Sequence, residues 1–128
     1  MDLSIVIVNW NTRDMLRNCL ASIPTGGDLQ TEVIVIDNAS GDGSPAMVAE
    51  EFPSARLIRN DANLGFATAT NQGLRVASGR HLLLLNSDTL VLGDVLAASV
   101  RYMDAHHDVG MMGCKVLNEE GTTQMTCS

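Results

Sequence analysis

His81-Leu82-Leu83-Leu84-Leu85, followed at once by Asn86-Ser87-Asp88, is the stretch whose reading decides the fold. The apolar run reads as a buried strand, and the polar triplet marks where that strand meets solvent. In an open α/β sheet, ligands sit outside the carboxyl ends of the strands, so an acid there is aimed at a site rather than at bulk water. The chain repeats the arrangement twice. Leu3-Ser4-Ile5-Val6-Ile7-Val8 runs into Asn9-Trp10-Asn11, and Glu32-Val33-Ile34-Val35-Ile36 runs into Asp37-Asn38-Ala39-Ser40. Three apolar strands ending in Asn- or Asp-rich loops point to one polar ligand read by several strand ends.

Between these strands the helical signals follow in order. Thr12 is placed to cap a helix carrying Met15, Leu16, Cys19, Leu20 and Ile23 at helical spacing, with Asp14 in its first turn and Pro24 and Gly26-Gly27 at its end. Ser44-Pro45 reads as a cap with proline at the first helical position, opening a short helix through Phe52 that Pro53 stops. Arg56-Leu57-Ile58-Arg59 reads as a short strand, and the loop that follows leads into a helix over 66–78 closed by Gly79. Asp94 is placed to cap a further helix carrying Val95, Leu96, Val100 and Met103. Short strands are expected over 109–112 and 115–117, with a turn at Asn118-Glu119-Glu120-Gly121. Strands alternating with helices give a parallel α/β sheet, because each right-handed crossover packs a helix on a face.

The 128 residues, 45% hydrophobic and 18% charged, suit one domain with a core of its own. No apolar run approaches the roughly 18 residues needed to cross a bilayer, and the first strand begins directly after Met1-Asp2, so a cytoplasmic location is expected. Cys19, Cys114 and Cys127 are odd in number and too scattered for zinc or a disulfide framework, which makes them reduced thiols. The net charge of -7 excludes a nucleic-acid surface, since there is no basic stripe to displace phosphate counterions. A ligand carrying phosphates would then need a divalent cation to help neutralise it.

Each candidate residue has a functional and a plain structural reading. Asp37, at a strand end, can accept the ring N–H of uracil or thymine, or it can simply shape the loop as an Asx-turn residue. Asp88 can bind Mg²⁺ or Mn²⁺, which favour oxygen donors, provided a diphosphate supplies further ligands; otherwise 86–89 is a polar turn. Trp10 can wall a base or sugar pocket, or pack at the sheet edge. Gly65, just before a helix, places N–H groups and the dipole toward an anionic or hydroxyl-rich ligand, or serves only as a permissive helix entry. Asn71 lies inside that helix, where Asn has no propensity advantage, so a specific hydrogen bond is expected of it. The histidines form no ligand pattern, and Arg75 and Arg80 are expected on the solvated surface.

Four blocks carry a family resemblance when taken together: Ile5-Val6-Ile7-Val8-Asn9-Trp10-Asn11; Val35-Ile36-Asp37-Asn38-Ala39-Ser40-Gly41-Asp42-Gly43-Ser44; Asn63-Leu64-Gly65-Phe66-Ala67 with Asn71 and Gly73; and Leu83-Leu84-Leu85-Asn86-Ser87-Asp88. They resemble the family 2 glycosyltransferases, and within them the bacterial rhamnosyltransferase-like branch. The resemblance implies an α/β fold of GT-A type, a mostly parallel sheet flanked by helices, with residues 1–128 as the portion that binds a nucleotide-diphospho-sugar. It also implies a dTDP- or UDP-sugar donor, Mg²⁺ or Mn²⁺ as cofactor, inverting transfer, and a glycan or polyprenyl-linked acceptor of the cell envelope. Asn9, Trp10, Asn11 and Asp37 would hold the nucleoside with Asn38 and Ser40 nearby. Asn63, Gly65, Phe66 and Asn71 would line the donor pocket, and Asn86, Ser87 and Asp88 would form the metal-binding triplet with Asp88 as the metal ligand.

Two departures from the family pattern matter. Asn86 stands where the first acid of the triplet is expected, leaving Asp88 as its only carboxylate. The acceptor half and the general base are expected beyond Ser128, so residues 1–128 alone are expected to be inactive, with an exposed edge inviting self-association. Membrane contact would be peripheral at most, at the inner face. The reading from another class is a non-catalytic nucleotide-sugar binding or regulatory module. A dinucleotide-dependent reductase would need Gly-x-Gly-x-x-Gly after the first strand, where this chain has Asn9-Trp10-Asn11-Thr12.

Overall fold

The computed structural model describes residues 1–24, 27–106, 116–118 and 123–124. Four parallel strands form the main sheet: β1 (Leu3–Asn9), β2 (Thr31–Asp37), β3 (Arg56–Arg59) and β4 (His81–Asn86), in the order β3-β2-β1-β4. The helices between them are α1 (Arg13–Ser22), α2 (Ser44–Glu51) and α3 (Phe66–Val76). After β4 come β5 (Thr89–Leu90), α4 (Val95–Ala105), β6 (Val116–Asn118) and β7 (Thr123–Gln124), the three short strands forming a small antiparallel sheet in the order β5-β6-β7. The short β5 has no counterpart among the strands expected from sequence. The strand expected over 109–112 lies outside the described residues, as do residues 119–121 of the turn expected at 118–121, whose first residue, Asn118, ends β6.

The strand order explains where the helices sit. From β1 the chain steps through α1 and α2 toward β3, then returns through α3 to place β4 on the other side of β1. Right-handed crossovers running in opposite directions put their helices on opposite faces. Two apolar clusters result. One gathers Ile5, Ile7, Leu16, Cys19, Leu20, Val35, Met47, Val48, Leu85, Leu96 and Val100 under α1, α2 and α4. The other gathers Val6, Ile34, Ile36 and Ala69 under α3. Because β1 is covered on both faces, it reads as a continuous apolar run instead of an alternating one.

Close approach makes Gly73 necessary on α3. A Cβ there would lie 2.5 Å from Cγ1 of Val6, so the helix rests directly on β1 at a residue with no side chain. Gly79 has a different role from the expected helix closure. The helix ends at Val76, and Gly79 lies against β1, where a Cβ would meet the backbone nitrogen of Ser4 at 2.5 Å. Its N–H donates to Oγ of Ser4 (2.7 Å), while the Ser4 hydroxyl and the N–H and hydroxyl of Ser78 all donate to Glu32. The Ser4 hydroxyl first, with Ser78, holds the Glu32 carboxyl below its ordinary value.

Four further expectations are corrected. Among the described residues β4 is an edge strand and not a fully buried one: Leu82 and Leu84 are 52% and 51% exposed, because α3 packs over β1 and β2. Thr12, Ser44 and Asp94 do not cap with their side chains. Ser44 lies inside α2, whose cap position is Gly43, and a single carboxylate, Asp42, serves the starts of both α1 and α2. It accepts from Arg13 N (2.9 Å) and from Ser44 N (3.0 Å), and the Ser44 hydroxyl also donates to it. Burial opposes its ionisation, but these donors outweigh burial and hold the Asp42 carboxyl below its ordinary value.

Candidate functional site

The strand order reverses between β1 and β4, and in open α/β sheets ligands bind beyond the carboxyl ends of the strands at such a reversal. Asn9 ends β1 in register with Asp37 at the end of β2. Both are buried, and Asn9 Nδ2 donates to Asp37 Oδ1 at 3.0 Å. The Ser40 hydroxyl donates to the same oxygen (2.7 Å), and Ser40 N donates to Asp37 Oδ2 (2.9 Å). Asp37 therefore shapes its loop, in line with the plain structural reading, with three donors on its two oxygens.

The β1 loop closes onto the β2 loop through Asn11, whose φ of 53° is left-handed, a region asparagine tolerates. Its N–H donates to Ser40 Oγ (2.9 Å), and its Oδ1 accepts from Gly41 N (2.8 Å). Thr12, freed from capping, donates to Asn9 Oδ1 (2.6 Å) and lies 3.0 Å from the Ser87 hydroxyl. That contact ties the β1 loop to the β4 loop.

A second group of amides fastens the loop before α3. Asn38 is buried, its Nδ2 donating to the Gly65 carbonyl (3.2 Å) and its Oδ1 accepting from Asn60 Nδ2 (2.9 Å). Asn63 Oδ1 accepts from Gly65 N (2.9 Å). Gly65 has φ 84° and ψ 169°, a conformation essentially confined to glycine. Asn71 is exposed on α3, and the hydrogen-bonded amide is its neighbour Gln72, paired with Asn60.

Trp10 and Phe66 are 54% and 60% exposed, so neither is a packing residue of the core. Asn86 is exposed as the last residue of β4, and Asp88 is half-buried just beyond it. Below them Cys19 is fully buried, its thiol 3.7 Å from the Asn86 carbonyl. Burial pushes that thiol up to about 12, the nearby Asp88 charge adding to the effect, so it stays protonated and unreactive. Arg80 is at the opposite end of β4, on the surface as expected but paired with Asp2 (2.9 Å) and Asp104 (2.6 Å).

The structure thus gathers Asn9, Asn11, Asp37, Asn38, Ser40, Asn63, Gly65 and Ser87 into connected loops, with Trp10, Phe66, Asn86 and Asp88 around them. Sequence reading missed Thr12 as a bridge, Asp42, Asn60 and Gln72. Asn60 carried a usable signal, since it follows β3 as Asn9 ends β1.

Among the described residues no three His, Cys, Asp or Glu side chains surround a point where a metal could sit. Asp88 is a single carboxylate with oxygen-bearing neighbours. Such a donor set fits a hard cation only when a ligand supplies further oxygens.

Residues 4–126 match the family model described as Glycosyl transferase family 2. The chain is 34% identical over 105 residues to the succinoglycan biosynthesis protein ExoO of Rhizobium meliloti, covering 81% of this chain and 30% of that protein. It is 34% identical over 70 residues to an N-acetylglucosaminyl-diphospho-decaprenol L-rhamnosyltransferase of Mycobacterium tuberculosis, covering 55% of this chain and 23% of that one. Its fold matches the mannosyltransferase PcManGT from Pyrobaculum calidifontis, solved with GDP-Man and Mn²⁺, at a TM-score of 0.71 and 28% identity, over 79% of this chain and 32% of that one. The chain spans a third or less of the length of each. With the GT-A type sheet in place and the match running nearly end to end, the chain belongs to the family 2 glycosyltransferases.

Proposed function

We propose that residues 1–128 form the donor-binding part of an inverting glycosyltransferase that takes a nucleotide-diphospho-sugar. The observation that carries this reading is the joining of three strand-end loops at the carboxyl ends of the sheet, β1 to β2 through Asn9–Asp37 and Asn11–Ser40 and β1 to β4 through Thr12–Ser87. Asn9, Trp10, Asn11 and Asp37 hold the nucleoside, with Asn38 and Ser40 supporting them. Asn63, Gly65 and Phe66 edge the donor pocket, and Asn71, exposed on α3, is assigned to the same pocket. Asp37 retains lone-pair capacity beyond its three donors, and that capacity favours the ring N–H of uracil or thymine. The GDP-Man complex of a relative with this fold means that the fold alone does not choose the base.

Asp88, with Asn86 and Ser87 beside it, is the proposed seat of Mg²⁺ or Mn²⁺. A cation there offsets charge on the departing diphosphate. Inversion also needs a base to take the acceptor hydroxyl proton, and we place that base outside residues 1–128, so that this chain alone does not turn over donor. Rhamnose is the proposed sugar, supported by the rhamnosyltransferase relative, whose name also supports a polyprenyl-linked acceptor. No helix among the described residues is long and apolar enough to cross a membrane. The half-exposed Leu82 and Leu84 are the surface for the proposed self-association.

Titration calorimetry with UDP, dTDP and GDP, each with and without Mn²⁺, tests the donor reading. Binding of UDP or dTDP that strengthens with Mn²⁺, and loses that dependence in Asp88→Ala, is expected. Absence of binding to all three would overturn it, and turnover of a nucleotide-sugar by the 128-residue chain would overturn the assignment of the base.

A further inference from the structure

Asn60 and Gln72 form a reciprocal amide pair. Asn60 Nδ2 donates to Gln72 Oε1 (2.8 Å), and Gln72 Nε2 donates back to Asn60 Oδ1 (2.9 Å). The second hydrogen of Asn60 Nδ2 goes to Asn38 Oδ1 (2.9 Å), so both amide hydrogens and the amide oxygen of Asn60 are directed. Asn38 in turn holds the Gly65 carbonyl through Nδ2 (3.2 Å), and its Oδ1 also receives Leu64 N (3.4 Å). Asn60 N is itself fixed to the Asp37 carbonyl (2.9 Å). A continuous path of amides thus runs from α3, through the end of β3 and the end of β2, to the backbone of Leu64 and Gly65.

We infer that Gln72 and Asn60 are positioning residues that set the 61–65 loop, and through it the edge of the donor pocket. The inference rests on the donor reading above. Glycine reaches the φ 84° and ψ 169° of Gly65 freely among many other conformations, so the one it holds must be determined by the hydrogen bonds around it. The Asn38 bonds to Leu64 and Gly65 supply that determination, and Gln72 fixes which way the Asn60 amide faces. Without Gln72, Asn60 is free to turn, and Asn38 loses the donor that orients its own amide.

The test replaces Gln72 by methionine, which keeps the length and removes both hydrogen bonds. UDP binding by titration calorimetry and amide hydrogen exchange at Leu64 and Gly65 are measured on the whole chain, well below the melting temperature. We expect UDP to bind about tenfold more weakly and both amides to exchange faster. Gln72→Ala, with the highest helix propensity, repeats the test should the methionine variant fail to fold. A merely structural role would lower the melting temperature and leave affinity and exchange at these two amides unchanged, which overturns the inference. If the unsubstituted chain binds no nucleotide, the donor reading fails separately. The exchange measurement then decides the positioning of the loop, and unchanged exchange overturns it.

Discussion

Asp37 shows how much one strand-end residue can settle. Its carboxylate takes Asn9 Nδ2, the Ser40 hydroxyl and Ser40 N while almost fully buried. Asn in its place would turn an NH₂ group toward a donor on one side or the other. A buried donor left without an acceptor costs about 1–3 kcal/mol, so Asp37→Asn is expected to lower stability by that amount in urea unfolding, with the m-value unchanged. A variant as stable as the parent would mean that Asp37 does not organise the loop. The presence of an acid at the strand end was legible in the sequence, but its partners were not. Ser40 is three residues away and could be anticipated as a turn partner, whereas Asn9 reaches Asp37 only because β1 and β2 pair in register.

At the scale of elements, the central strands β1 and β2 were legible because strands covered on both faces must be largely apolar. The equally apolar β4 is instead an edge strand, whose exposed Leu82 and Leu84 its sequence did not reveal. The helix starts were less so. Thr12, Ser44 and Asp94 all have the chemistry of caps, yet the carboxylate that serves α1 comes from Asp42, 29 residues along the chain from Arg13. Spacing cannot show a cap supplied by another loop. The same holds for Asn71 and Gln72, adjacent amides on α3 of which only the second faces Asn60. Gly73 gives this scale its test. Alanine in a helix gains up to about 1 kcal/mol over glycine, but here its Cβ would meet Val6, itself buried in the sheet, at 2.5 Å. Overpacking costs about 1–3 kcal/mol, so Gly73→Ala is expected to destabilise despite its better propensity. Adding Val6→Ala should recover part of the loss, and strictly additive effects in the double-mutant cycle would overturn the contact argument.

For the whole molecule, the two ends of the sheet are built differently. The carboxyl ends carry amides and carboxylates joined loop to loop, and the amino ends carry an ionic cluster. There Arg80 pairs with Asp2 and Asp104, and His81 Nε2 lies 2.8 Å from Asp104 Oδ1, so the end of α4 is tied to the start of β4 and to the chain before β1. The hydrogen bond from Arg80, followed by that from His81, lowers the Asp104 carboxyl from 3.8 to about 2. A carboxyl depressed on folding contributes stability that is present above its unfolded value and lost as pH falls through its folded value. The contribution of Asp104 is therefore expected to disappear between about pH 4 and about pH 2. The groups are exposed, so salt should weaken it. Urea midpoints followed across that window should fall more steeply in the parent than in Asp104→Asn, and the difference should shrink in high salt. Parallel curves would mean that the cluster does not hold α4 in place, and that the apolar contacts of Leu96 and Val100 alone keep the helix on the sheet.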